Sequence, residues 1–194
     1  MIASLPAHIA LASLCLLALG TQPGWAQSLS PDQTLPSSAI EMQAGQSYRA
    51  GTRVRVPNGA ASFLIPAGWR GEQLDNLAAV LLVSEKESGF VLAFAILNQT
   101  EDELFALLGE PQPISEKLIF EPAGAVTRKG NTLTATYAAG SLAGRGVAVM
   151  GPDLQGILFL HGRPQKESRL PFSLLDELAD HVQFTSAIGA SPLP

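Results

Sequence analysis

The segment that most constrains the fold is Phe90–Leu97, an uninterrupted apolar run. Successive side chains of a β-strand point to opposite faces of the sheet, so a strand over this run is apolar on both faces. Both faces of its sheet must therefore be covered. A second apolar run, Ala78–Val83, is separated from the first by a polar turn. The two runs predict an antiparallel pair at the centre of a sheet, with helices on both sides.

A β-hairpin is predicted ahead of this pair, within Arg53–Gly71. In its first strand Val54 and Val56 alternate with arginines, and in its second strand Phe63 and Ile65 share a face. The intervening Pro57-Asn58-Gly59 has residues that tolerate the positive φ of a tight connection. A Pro-Ala-Gly-Trp turn closes the second strand.

Two short amphipathic helices are predicted further along the chain. The first begins with a capping box, in which Thr100 caps the helix and Glu103 reaches back to it. Its apolar stripe is formed by Leu104, Phe105, Leu107 and Leu108. The second helix has Ser173 as its N-cap, with acidic residues in the first turn. Its apolar face is formed by Leu174, Leu175, Leu178 and Val182.

Strands joined by hairpin-length turns are predicted between the two helices. Their ranges are 117–120, 125–128, 132–138, 145–150 and 156–161. Spacings of this length favour antiparallel pairing. The predicted fold class is α+β: an antiparallel meander flanked by short helices on both faces, with the last helix packed back across the sheet.

This order of elements resembles the PsbP-like α/β/α sandwich. The resemblance is carried by the hairpin that ends in Phe63-x-Ile65-Pro66-x-Gly68-Trp69, the central strand pair, the two helices and the closing Val182-Gln183-Phe184. It covers roughly Tyr48 to Ser186. Proteins of this class mostly act as extrinsic subunits, assembly factors or binding modules, so the resemblance implies a non-catalytic domain.

The first 26 residues read as a secretory signal peptide cleaved after Ala26, because the apolar run Ile9–Leu19 is too short to span a bilayer and a small-residue exit follows it. We predict a flexible linker over 27–46, one domain over 47–187, a disordered tail over 188–194, and a periplasmic or secreted location. The single cysteine, Cys15, lies in the signal. The mature chain then has no disulfide, thiolate metal site or cysteine nucleophile, and no stable membrane span.

The charge and the motifs narrow the classes of function. A formal net charge of −5 disfavours nucleic acid as a partner. The glycine-rich segment Gly140–Gly151 leads into a strand and lacks the spacing of a phosphate-binding loop, and the chain has no serine nucleophile elbow. His161 and His181 have no metal-ligand spacing around them, so both are predicted to be structural. We expect no enzyme activity, metal or cofactor.

The candidate partner-binding residues are Trp69, Arg70, Arg53 and Arg55. Trp69 and Arg70 follow the hairpin, where an aromatic ring beside a guanidinium can anchor an interface. The alternative is that Trp69 caps the core, since tryptophans are highly buried on average, and this is the interpretation we favour. The three arginines form either a basic patch or an ordinary solvated face.

The leading functional hypothesis is a binding or assembly-factor domain that contacts another envelope or secreted protein. It rests on the export signal, on the absence of a catalytic motif and on the resemblance. The alternative is a carrier of a small apolar or amphiphilic ligand, held in a pocket between sheet and helix, and it rests on the apolar strand Phe90–Leu97. A carrier is expected to retain its ligand during purification, whereas a binding module has a solid core.

Overall fold

The computed structural model describes residues 38–74, 77–84, 86–167 and 173–185. Two α-helices are described, α1 (Glu101–Leu108) and α2 (Ser173–Asp180), and a 3₁₀ turn covers Gln165–Glu167. The strands are β1 (Ile40–Glu41), β2 (Ser47–Arg49), β3 (Arg53–Arg55), β4 (Ala61–Leu64), β5 (Trp69–Gln73), β6 (Ala79–Ser84), β7 (Phe90–Leu97), β8 (Gln112–Ser115), β9 (Leu118–Pro122), β10 (Thr127–Lys129), β11 (Thr132–Ala139), β12 (Leu142–Met150), β13 (Gln155–Pro164) and β14 (Gln183–Phe184).

The described strands form two sheets, which we call the large sheet and the small sheet. The large sheet is curled and has 10 strands in the order β2-β5-β6-β7-β13-β12-β11-β9-β8, with β10 paired to β11. The small sheet has the order β1-β3-β4-β14 and is mixed, because β1 and β3 run parallel. The α+β class and the central β6–β7 pair are confirmed. The prediction of a single antiparallel meander is wrong. Strand β7 pairs with β13 across a long crossover, and the β3–β4 hairpin belongs to the small sheet.

Two hydrophobic clusters lie on opposite faces of the large sheet, and strand β13 contributes to both. Ile157 and Phe159 belong to the first cluster, together with residues of the small sheet and α2. Leu158 and Leu160 belong to the second cluster, together with α1 and the strands β9 and β11. This alternation explains why β13, like β7, has no polar face over most of its length.

The capping box forms as predicted, because it depends only on residues within one turn. The Thr100 amide donates to the Glu103 carboxylate (2.8 Å), and the Glu103 amide donates to the Thr100 hydroxyl (3.3 Å). The Thr100 hydroxyl also donates to the Glu103 carboxylate (2.8 Å), and the hydrogen bonds from the Thr100 amide and hydroxyl to this carboxylate lower the pKa of Glu103. The predicted apolar stripe is narrower than expected, since Leu104 and Leu108 are buried whereas Phe105 and Leu107 are 44% and 37% exposed. Only one face of α1 is buried, and Leu104 and Leu108, which are four residues apart, lie on that face.

Glycines on β12 and β13 leave space for aromatic rings to approach the backbone on the second face of the large sheet. A Cβ atom added at Gly162 would come within 2.8 Å of both Phe90 and Phe120, and one at Gly144 within 2.5 Å of Phe120. The Phe120 ring meets Phe90 and Tyr137 edge-on, with centroids 6.4 Å apart in each case. The Tyr137 hydroxyl donates to the carbonyl of Leu108 (2.8 Å), which attaches the end of α1 to this aromatic row.

The signal peptide and the tail over 188–194 lie outside the described residues. Ile40 and Glu41, from the segment predicted as a linker, pair with Val54 and Arg55 of the small sheet. No helix in the described ranges is long and apolar enough to cross a membrane. The predicted domain and linker boundaries stay predictions.

Candidate functional site

Two of the candidate arginines, Arg53 and Arg55, lie on β3 and make contacts within the protein. The Arg53 guanidinium donates to the carbonyl of His181, at the end of α2 (3.1 Å), and partial burial lowers its pKa. The Arg55 guanidinium lies 2.9 Å from the Glu41 carboxylate. Arg53 thus connects the small sheet to the end of α2, whereas Arg55 pairs with Glu41 within the small sheet, between β3 and β1. Both arginines retain some exposure.

The third candidate, Arg70, lies on β5 in the large sheet, directly opposite Arg49 on β2. Both residues are exposed. Among the described residues neither guanidinium has a hydrogen bond or an ion pair. Like charges directly opposite each other on paired strands are destabilising. Strand pairing therefore creates an uncompensated pair of positive charges, which we call the arginine pair, on a protein whose formal net charge is −5.

Trp69 points to the other face of β5 from Arg70 and is only 4% exposed. It belongs to the hydrophobic cluster between the sheets, and its ring meets His161 edge-on with centroids 6.1 Å apart. This burial agrees with the core-cap interpretation. Side chains alternate along β5, so the strand buries the tryptophan on one face while it exposes the arginine on the other.

A groove of about 380 Å³ lies beside the arginine pair at the edge of the large sheet. It is lined by Ser47, Arg49, Ala50, Gly68, Trp69, Arg70 and Val83. A larger groove of about 460 Å³ lies near the end of α2, and Asp180 is the titratable residue in its lining. The smaller groove has the greater potential for recognition, because two guanidinium groups flank it and each can form a bidentate pair with a carboxylate.

A second polar group lies beneath α2, where the otherwise apolar face of β13 continues into His161 and Arg163. These residues are only 3% and 5% exposed. They line a cavity of about 120 Å³ together with Glu87 and Glu177, among others. Burial lowers the pKa of His161 to about 4, and the positive charge of Arg163 adds to this effect. The imidazole is therefore neutral at pH 7.

The surroundings of this cavity indicate a structural role. Arg145, opposite His161 on β12, lies 3.3 Å from Asp176 of α2. Burial lowers the pKa of Arg163, and the carboxylates of Glu167 and Glu87 oppose this shift because they favour the charged guanidinium. Positive groups on the sheet thus face negative groups around the helix. The Arg145–Asp176 pair is partly exposed, so it contributes little to stability. Arg163 is buried, so removing the carboxylates around it would leave a buried charge uncompensated.

No group of three or more His, Cys, Asp or Glu side chains in the described ranges is placed to hold a metal ion. His181 lies far along the chain from His161, and its Nδ1 atom is 2.8 Å from the carbonyl oxygen of Glu177. Since a carbonyl oxygen only accepts, that nitrogen is the donor. This contact gives His181 a local structural role at the end of α2.

Arg49 is the site residue that the sequence analysis missed. It precedes the predicted hairpin by a few residues and lies opposite Arg70, which is 21 positions further along the chain. The available signal was the short polar–aromatic–polar alternation Ser47-Tyr48-Arg49, which is that of an edge strand with one face buried. The strand that pairs with such an edge strand is set by tertiary structure, so the proximity of Arg49 and Arg70 could not be predicted from the sequence.

The comparisons with known proteins concern the fold. No protein-family model matches the chain, and no curated protein matches it in sequence. The structure is similar to the solution structure of cyanobacterial PsbP from Synechocystis sp. PCC 6803, with a TM-score of 0.48 and 15% identity over 69% of this chain and 92% of that one. This agrees with the resemblance predicted from the sequence.

A second similar structure is a protein from Bacteroides thetaiotaomicron. It has a TM-score of 0.45 and 9% identity, and the alignment covers 72% of this chain and 50% of that one. The chain therefore spans half the length of that protein. At such identities both similarities describe the fold and give no information about the site.

Proposed function

We propose that this chain is a secreted or periplasmic, non-catalytic binding domain that contacts another envelope protein through the edge of the large sheet. The observation that carries the proposal is the arginine pair. Arg49 and Arg70 are directly opposite each other and exposed, and no described acidic group compensates them. An acidic group on a partner would relieve their repulsion, whereas in the isolated domain the repulsion persists.

The location of the arginine pair supports this proposal. It lies on β2 and β5, at one end of the strand order of the large sheet, so a partner can approach it without displacing the core. The groove of about 380 Å³ beside it provides a concave surface. Electrostatic complementarity of this kind increases association rates and selects among partners. On a protein with a net negative charge, a local positive site also directs the orientation of approach.

The exported location is part of the proposal and has its own test. If the signal peptide is removed as predicted, mass spectrometry of the protein from its native host finds an N-terminus at Gln27 or within a few residues of it. A cytosolic protein with an intact Met1 would contradict the proposed location.

The binding function is tested by photo-crosslinking in the native host, with a photoreactive amino acid at Ser47, next to the arginine pair. We expect a crosslink to one defined envelope protein. The matched control is the same amino acid at Lys129, an exposed residue on β10, which should give no such product. Equal crosslinking from both positions would contradict a specific site. Native mass spectrometry of the purified protein tests the alternative that the chain is a carrier. A carrier retains its ligand, so its mass would exceed that of the polypeptide by the mass of a small molecule.

A further inference from the structure

The arginine pair adjoins a row of apolar side chains that is not fully covered. Leu81 and Val83 on β6 and Phe90 and Phe94 on β7 are all partly exposed. They point to the face of the large sheet that carries the second cluster, away from the small sheet. Phe90 and Phe94 pack against the edge of that cluster, whereas Leu81 and Val83 pack against neither cluster among the described residues. We call these four residues the apolar shelf.

The strand register joins the shelf to the arginine pair in one continuous row. Arg49 is opposite Arg70, Arg70 is opposite Val83, and Val83 is opposite Phe90. Residues directly opposite each other in an antiparallel sheet point to the same face. Neighbouring strands lie about 4.8 Å apart, so the row extends about 14 Å from Arg49 to Phe90. Two positive charges are thus followed directly by two apolar side chains.

The neighbouring row across the same strands contains Glu72 and therefore carries a negative charge. Glu72 is opposite Ser47 on one side and Leu81 on the other, and it is partly exposed. A carboxylate of a partner is therefore attracted to the row of Arg49 and Arg70 and repelled from the row of Glu72. Exposed apolar groups rimmed by polar residues are typical of protein interaction sites.

We propose that the partner binds through an amphipathic acidic segment, with its apolar side chains on the shelf and its carboxylates on Arg49 and Arg70. This inference rests on the proposed function and specifies its partner chemistry. Apolar contact supplies affinity through the area that it removes from water. The arginines supply register and selectivity, because planar guanidinium groups pair with carboxylates in defined geometry.

The test is a solution titration of the mature protein with synthetic peptides, followed by NMR. The probe is a short peptide of glutamate and leucine, and a peptide of glutamate and serine with the same charge is its control. We expect the glutamate–leucine peptide to shift the amide signals of β2, β5, β6 and β7, and the glutamate–serine peptide to bind more weakly. Added salt should weaken the binding, because surface charges are screened.

Substitutions test separately what the arginine pair and the apolar shelf contribute to peptide binding. The double substitution Arg49→Gln with Arg70→Gln is expected to lower the affinity for the glutamate–leucine peptide about fivefold, which is the scale of two surface ion pairs. Lys117→Gln with Lys129→Gln removes the same charge from exposed positions elsewhere and is expected to have little effect. Val83→Ser should lower the affinity for the same peptide without changing the dependence of that affinity on salt. Thermal melts check that each variant is folded.

Three results would overturn the inference: equal binding of the two peptides, signal shifts mainly outside β2, β5, β6 and β7, or equal affinity of the two double variants. Preference for vesicles of anionic lipid over the glutamate–leucine peptide would also overturn it, since such vesicles carry phosphate and not carboxylate side chains. The proposed function is separable from all of these results. A crosslink from Ser47 to an envelope protein that is lost in the arginine variant, together with equal binding of the two peptides, would retain the function and reject this partner chemistry.

Discussion

At the scale of single residues, the burial of His161 makes the stability of the folded protein depend on pH. It is 3% exposed, its pKa is lowered to about 4, and Arg163, Glu87 and Glu177 line the same cavity. The unfolded chain binds a proton at this imidazole near the ordinary pKa of 6.5, whereas the folded protein does so only near 4. Between these values the unfolded state holds more protons, so stability is lost as the pH falls from about 6.5 to about 4.

The magnitude follows from the difference between the two pKa values and is about 3 kcal/mol at most. Urea unfolding at several pH values measures it. We expect His161→Gln to flatten the loss of unfolding free energy between pH 7 and pH 4 relative to the unmodified protein. His181→Gln, which removes the other described histidine, should leave the loss nearly unchanged. If both variants have the same acid dependence as the unmodified protein, His161 does not cause it.

Trp69 provides a second test at this scale, because its burial separates core packing from partner contact. Trp69→Ala removes a large buried ring and is expected to lower the free energy of unfolding by about 3 to 5 kcal/mol. Arg70→Ala, on the exposed face of the same strand, should change it by no more than about 0.5 kcal/mol. Chemical denaturation measures both values. A fully stable Trp69→Ala protein that has lost its partner would contradict the core-cap interpretation.

At the scale of elements, α2 closes the cluster between the two sheets. Leu175 and Leu178 are buried there, and the helix packs against β4, β12 and β13. We expect Leu178→Ala to destabilise the protein by about 2 to 5 kcal/mol, the range for truncation of a buried leucine. The matched control is Leu107→Ala in α1, whose leucine is 37% exposed. Equal effects of the two substitutions in urea unfolding would show that α2 does not close the core.

The elements that sequence reasoning found are those with a local signal. The Thr100 capping box, the β6–β7 pair and the β3–β4 hairpin each depend on neighbouring residues, and Asn58 has the positive φ (63°) expected in the hairpin turn. The sheet to which each strand belongs has no local signal. The hairpin was therefore recognised, but its place in a separate small sheet was not.

Strand β5 was missed for a different reason, since Gly71 occupies a core-facing position where an apolar side chain would mark a strand. A Cβ atom added at Gly71 would lie 2.9 Å from Ile65 and 3.2 Å from Leu82. The apolar volume at that point is thus supplied by Ile65 and Leu82, and the sequence of β5 itself lacks the alternation of apolar and polar residues. Missing β5 also meant missing the pairing that brings Arg49 beside Arg70.

At the scale of the whole molecule, the two faces of the large sheet are covered to different extents. One face is closed by the small sheet and α2. The other face has α1 over the part near β11, while Leu81 and Val83 on β6 remain partly exposed. The arginine pair lies at the same end of the large sheet as this uncovered part. The proposed binding surface is therefore the part of the sheet that the described helices leave open.

The central claim is that a partner protein binds at the arginine pair, and the most direct measurement is an affinity comparison by isothermal titration calorimetry. It uses the envelope protein identified by crosslinking and two variants with the same change in net charge. We expect Arg49→Glu with Arg70→Glu to weaken binding at least about tenfold, because charge reversal replaces attraction by repulsion. Lys117→Glu with Lys129→Glu should stay within about twofold of the unmodified protein. Equal affinities of the two variants would contradict the account.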